Sequence, residues 1–210
     1  MAKRILPYRD YSEHDVVNLF SLEVESSDNL SDWVEASSGK WDAGVVVSVS
    51  AGALPGEVSE LRASTPDKLR DYLGASQTSA HIGFNGYPAN TGMTVTPAGA
   101  GGRGLGITLR ESLAFDENGE KLLYYKQKLD EAQAVLPGQT VPVLTRGLVL
   151  LAASAIDGTP SVGDELEVKA GGKLGTQSSG TVVGTVLATG TDIVQGVAGS
   201  QTKYLCKVSF

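Results

Sequence analysis

Gly99, Gly101 and Gly104 stand at the G-x-G-x-x-G spacing of a dinucleotide-binding turn, the nearest approach to a chemical motif in this 210-residue chain. Such a turn follows a strand and opens a helix, whose N-terminal N–H groups hold a pyrophosphate. Here the glycines lead into Gly106-Ile107-Thr108-Leu109, a strand pattern, so a glycine-rich β-turn is expected instead. The histidines, His14 and His81, have no ligand partner at useful spacing, and a zinc site needs three or four rigidly held ligands. Both are expected to be solvated or at an interface. Serines are abundant, yet none lies in a G-x-S-x-G elbow, and nucleophilic catalysis needs an activated Ser, Thr or Cys beside a base. The paired acids Asp116-Glu117 and Asp164-Glu165 fall on turns, where solvated charge is the default. Asn29-Leu30-Ser31 matches a glycosylation sequon, which without a signal peptide is read as chance.

The lone cysteine, Cys206, alternates with Tyr204 and Val208 in KYLCKVSF. A strand places all three on one face, so a buried structural thiol is expected. One thiol without a mate also suits assembly in a reducing cytoplasm. No catalytic, cofactor-binding or metal-binding residues are assigned, and no enzyme is expected.

The elements that would carry these residues are short strands. VPVLTRGLVLLAAS, VGDELEVKA, GGKLGT, GTVVGTVLATG and KYLCKVSF are β-branched or apolar runs separated by Gly, Pro, Ser and Asp. GVVVSVS over 44–50 is a further strand, and GMTVTPAG and GLGITL flank the glycine turn. Asn118-Gly119 reads as a hairpin tip with EKLLYY as its return strand, and KQKLDEAQAV as a brief helix. TPDKLRDYLG, with Thr65 as N-cap, Pro66 at N1 and Gly74 at C′, predicts another. GFNGYPANTG reads as an ordered loop. The two halves echo each other weakly, which fits a glycine-punctuated meander better than a duplication. The 26 glycines, about 12% against roughly 7% in ordinary usage, mean many turns and close backbone approaches.

Residues 1–42 differ from the rest. They hold nine acids against four bases, a local −5 within a net charge of −7, and five aromatics: Tyr8, Tyr11, Phe20, Trp33 and Trp41. Ser12 and Asp15 have the form of a capping box, from which VVNLF would carry a helical turn or two. The expected division is an extended N-terminal arm over 1–42 and a β-rich domain over 43–210. The arm docks either on its own domain or on a neighbouring subunit, and its two tryptophans either cover one end of a barrel or anchor an interface. The interface candidates are Leu6, Pro7, Tyr8, Arg9, Tyr11, Phe20, Trp33 and Trp41, because aromatic anchors carry protein interfaces. An acidic chain with no Lys/Arg cluster lacks the electrostatic footprint of a nucleic-acid binder. No run reaches the length of a signal peptide or a membrane span, so a soluble protein made inside the cell, with no membrane partner, is expected.

LPYRDYSEHDVVNLFSLE, the block AFDENGEKLLYYKQKLDEAQAVLPGQTVPVLTRGLVLL and the closing VGDELEV, GKLG, VVGTVLATG and KVSF together resemble the head decoration, or cement, proteins of tailed bacteriophages, of the marine and cyanophage kind. The order shared with that family is carried by Arg146-Gly147, Val162-Gly163-Asp164, Gly172-Lys173-Leu174 and Val182 to Leu187. The resemblance implies an all-β fold, a compact β-barrel or tulip-like domain with one or two short helices. It further implies a place on the outer capsid surface of the virion, with the major capsid protein and neighbouring copies of itself, often as a homotrimer, as partners. Deleting residues 2 to 25 is then expected to leave a folded domain that no longer decorates capsids. The other function class is a carbohydrate-binding module or tail-associated adhesin, with Tyr87, Trp33 and Trp41 as stacking platforms.

Overall fold

In the computed structural model, described over residues 4–22, 42–52, 93–113, 120, 122–136, 139–193 and 200–210, most residues lie in β-strands. In chain order these are β1 (Ile5–Asp10), β2 (Val16–Val17), β3 (Ser21–Leu22), β4 (Val46–Gly52), β5 (Met93–Pro97), β6 (Gly106–Thr108), β7 (Glu111–Ser112) and β8 (Ala134–Val135). They continue with β9 (Val143–Leu144), β10 (Arg146–Ala152), β11 (Ile156–Asp157), β12 (Glu165–Lys169), β13 (Lys173–Thr176), β14 (Gly184–Ile193) and β15 (Ser200–Ser209). One α-helix, α1 (Lys126–Glu131), is described. The compact all-β domain is as expected.

Among the described residues the strands form a large sheet in the order β1-β10-β15-β14-β12-β13-β11, a second in the order β2-β9-β6-β4-β5-β3, and a small β7-β8 pair. The two larger sheets share a core. Val149, Leu151, Leu166, Val168, Leu174, Tyr204, Cys206 and Val208 from the first meet Val46, Ile107 and Leu144 from the second. The second sheet is buried on its other face too, where Leu22, Val45, Val47, Val95, Val141 and Val143 pack with Val135. Burial on both faces explains the unbroken Val45-Val46-Val47 run, because a strand with no solvent face has no polar alternation to display. β15 covers the core from one side only and alternates: Tyr204, Cys206 and Val208 are buried, Lys207 and Ser209 exposed.

Of the two dockings expected of the N-terminal residues, the described part shows the one on its own domain. β1 pairs with β10, β2 with β9 and β3 with β5, so residues 5–22 supply edge strands to both large sheets. Ile5 joins the main core and Leu22 the second. Residues 23–41 lie outside the described residues. Deleting residues 2 to 25 would remove three strands and three core side chains, Ile5, Leu6 and Leu22, so it should unfold the domain. The helical reading of VVNLF is also overturned. Ser12 does cap, its Oγ accepting from the His14 N–H at 3.4 Å, but only for the 3₁₀ turn Glu13–Asp15. Val16 and Val17 then pair with Leu144 and Val143, a long-range ladder that suits β-branched residues better than an isolated helical turn.

EKLLYY is not a return strand. Leu122–Tyr124 form a 3₁₀ turn that delivers the chain into α1, where the brief helix was expected. The segment 65–74, the loop 83–92 and the Asn118-Gly119 tip lie outside the described residues.

Candidate interaction surface

β1 is an edge strand whose only ladder partner among the described residues is β10, and its register slips between Ile5 and Arg9. That irregularity turns Pro7 and Tyr8 outward: both are exposed, Tyr8 by 54%. Tyr11 follows at 37% exposure, its Cβ lying against Gly147, where an added side chain would come within 2.8 Å. Three other interface candidates do structural work. Leu6 is buried against Ala152 and Leu150. Arg9 is half-buried, its Nη1 donating to the Leu109 carbonyl at 3.3 Å. Phe20 packs against the second core cluster. Trp33 and Trp41 lie outside the described residues. Of the interface candidates, Pro7 and Tyr8 thus lie exposed on an edge strand, with Tyr11 just beyond its end.

Behind that edge the outer face of the large sheet carries Leu148, Leu150 and Leu205, each half-buried. The ladder sets Leu150 opposite Leu205 and Leu148 opposite Lys207. A second aromatic pair, Tyr124 (69% exposed) and Tyr125 (45%), sits at the start of α1, with Lys128 Nζ 5.1 Å from the Tyr125 ring. Sequence reasoning missed it by assigning both tyrosines to a strand.

The buried ionisable groups are engaged within the fold. Glu167, between Leu166 and Val168 on β12, points to the sheet face opposite the core. There the 178–180 loop closes over it: the N–H groups of Ser178, Ser179 and Gly180, the Ser178 hydroxyl and the Lys169 ammonium all donate to its carboxylate. Those bonds hold its pKa well below the ordinary carboxylate range, the Lys169 contribution being the largest. Gly180 permits the approach, since a Cβ there would stand 2.8 Å from the Glu167 carboxylate. With five donors satisfied, Glu167 has little left to offer a substrate, and its role is to pin a loop. No acid was singled out here from sequence, although an isolated Glu between two core aliphatics with Ser-Ser-Gly following is the signal. Arg4 is likewise buried, Nη1 donating to the Gly171 carbonyl at 3.1 Å; burial pushes its pKa down, opposed by Asp42.

Cys206 is fully buried, and burial pushes its thiol up to about 12. The thiolate is the reactive form, so the folded protein should be silent to a thiol reagent at pH 8 and label fully once unfolded. Full labelling of the native protein within the mixing time would refute the buried assignment. Among the described residues no group of three His, Cys, Asp or Glu side chains could hold a metal ion, and no helix is long and apolar enough to cross a membrane. Residues 99–104 form a turn leading into β6, not a helix, so the glycine spacing there has no phosphate-binding context.

A family model described as structural cement protein (E217 gp24/Pam3 gp6), of phage, matches residues 34–209. The chain belongs to this cement family. No curated protein and no solved structure matches it. The match covers every strand from β4 onward and begins after β1, β2 and β3, so this cement protein carries its exposed Pro7-Tyr8 edge outside the matched part. A structural cement protein is a component of the phage capsid.

Proposed function

We propose that this cement protein binds the outer surface of the mature capsid and stabilises it by bridging neighbouring capsid subunits. The family match over residues 34–209 carries the reading. The fold supports it: two sheets sharing one core make a rigid body, and a rigid body that touches several subunits at once gains avidity from contacts that are individually weak. If it prefers the expanded lattice, it stabilises that lattice by mass action. The major capsid protein is the partner this mechanism requires. No observation favours the carbohydrate-binding alternative, whose platforms Tyr87, Trp33 and Trp41 lie outside the described residues.

Tyr8 is the anchor we assign to the capsid contact, being aromatic, exposed by 54% and held on a strand. Tyr8→Ala should leave the melting temperature unchanged and weaken binding to purified shells by about tenfold or more, measured by co-sedimentation. Undiminished binding would remove the β1 edge from the contact. Wild-type protein that neither sediments with shells nor raises their thermal stability would refute the function itself.

A further inference from the structure

β14 and β15 run ten residues each, but their neighbours stop short. β12 pairs with β14 only at Glu165–Thr185 and Leu166–Gly184, and β10 pairs with β15 no further than Lys203. Beyond that point β14 and β15 continue together to Ile193 and Ser200 as a two-stranded ribbon. Leu187, Ala188, Thr189 and Thr191 are exposed and Gly190 half-buried. A two-stranded ribbon is marginal on its own in water.

The open side of β14 presents backbone groups. Val186 turns both its N–H and its C=O toward β12, donating to the Asp164 carbonyl at 3.0 Å and accepting from the Gly163 N–H at 2.8 Å. It stands opposite Cys206. Tyr204, two residues away on β15, has the same orientation as Cys206, and the bulge at Leu187–Ala188 brings Thr189 opposite it. Thr189, and Thr191 beyond it, therefore aim their N–H and C=O at an edge that no described strand covers. Natural edges are guarded by lysine, proline or inward charge. The stretch Leu187-Ala188-Thr189-Gly190-Thr191-Asp192-Ile193 contains no lysine or proline, and the bulge at Leu187–Ala188 and Asp192 are its protections.

That stretch is close to a palindrome about Gly190. We propose that two copies of the chain pair through this edge, β14 against β14 and antiparallel, across a two-fold axis at Gly190. In this register Thr189 of each copy lies opposite Thr191 of the other, so the outward backbone groups meet as hydrogen-bonded pairs and the side chains as Thr–Thr pairs, a favourable cross-strand match. Ala188 falls opposite Asp192, with no like charges facing. Gly190 meets its own copy at a non-hydrogen-bonded site, where the strands approach most closely. The two large sheets become one continuous sheet through this edge, and an isologous contact of this kind closes at two copies. The pairing goes beyond capsid binding and stands without it.

Sedimentation and crosslinking of the purified protein test it. At a non-hydrogen-bonded antiparallel site the Cα atoms lie about 4.5 Å apart, within the roughly 4.4–6.8 Å that a disulfide spans. A Cβ at Gly190 would meet nothing closer than Lys203 Cε at 3.6 Å, so Gly190→Cys fits the fold. It should oxidise to a covalent dimer, whereas Thr176→Cys, exposed on β13, should form no covalent dimer on a denaturing gel, and buried Cys206 does not compete. Wild-type protein at its highest soluble concentration should sediment at twice 21.8 kDa. The Thr189→Lys/Thr191→Lys double variant sets lysine against lysine at both rungs and should sediment at 21.8 kDa with an unchanged melting temperature. A monomeric or trimeric wild type, a dimer that survives the double variant, or crosslinking of Gly190→Cys no faster than Thr176→Cys would each overturn the proposal.

Discussion

Gly172→Ala should destabilise the domain by about 2–5 kcal/mol, the sum of a left-handed backbone penalty and a steric one. Gly172 sits at φ +65° in the connection between β12 and β13, and a Cβ there would stand 2.4 Å from Val45 Cγ1 and 2.6 Å from the Val46 carbonyl oxygen. The position is where the tip of that hairpin, from the large sheet, fastens to the second sheet. The Val46 N–H donates to the Gly172 carbonyl at 2.8 Å, the Gly172 N–H to the Ala98 carbonyl at 3.0 Å, and the Gly101 N–H to the Val168 carbonyl at 3.0 Å. Relief of the clash must part these bonds. Gly171 supplies an internal control, with a similar φ of +70° and nothing within 4 Å of its added Cβ. Gly171→Ala should therefore cost only the backbone part, about 1–2 kcal/mol. Urea unfolding of the two variants measures the difference, and equal losses would show that the hairpin tip is not tightly fastened. Against a typical total of about 5–15 kcal/mol, the larger figure is enough to leave much of the protein unfolded.

Glu167→Ala should be the most damaging substitution of an acid among the described residues, lowering the melting temperature by several degrees where Glu165→Ala, on the exposed start of β12, leaves it unchanged. Removing the carboxylate strands the Ser178, Ser179 and Gly180 N–H donors and the Lys169 ammonium, and unmade bonds at a buried site cost more than made ones contribute. The pH dependence has a definite sign. The native state holds the carboxylate ionised well below its ordinary value of 4.5. As pH falls, the unfolded chain takes up the proton first. The contribution is therefore fully present above the ordinary value and is lost progressively as pH falls below it. Glu167→Gln, which keeps the shape and one acceptor oxygen, should be less stable than wild type at neutral pH and should lack that part of the acid slope. Parallel stability curves for the two proteins on the acid side would refute the pinning role.

Much of the strand order was legible in the chain because its punctuation is local. Gly171-Gly172 and the alternation of Tyr204, Cys206 and Val208 announce a turn and a one-sided strand wherever they occur. Misreadings arose where the deciding partner is distant. Val16 and Val17 follow a plausible cap, yet strands from residues 143 and 144 claim them. The Val45-Val46-Val47 run identifies a strand but cannot say that both its faces are covered, since the covering residues come from segments scattered between Ile5 and Val208. Tyr124 and Tyr125 carry β propensity that a local 3₁₀ turn overrides. The site was harder still: three of the five donors to Glu167 are backbone N–H groups 11 to 13 residues beyond it, which no side-chain motif encodes. The Pro7-Tyr8 edge was flagged by its aromatic content, but its rigidity follows from a ladder to Leu148–Leu151 that only the fold supplies.

The order of strands across the large sheet carries a consequence for synthesis. β10 lies between β1, the earliest strand in the chain, and β15, the latest among those described. β14, with the ribbon edge it bears, is joined to β10 only through β15. While the polypeptide is emerging, β1 and β10 can meet and can share the core with the second sheet, but the ladder to β14, β12, β13 and β11 is not made until Ser200–Ser209 arrives to bridge the gap. Such non-local pairing is slow to form, and it makes the arrival of β15 the event that closes the large sheet.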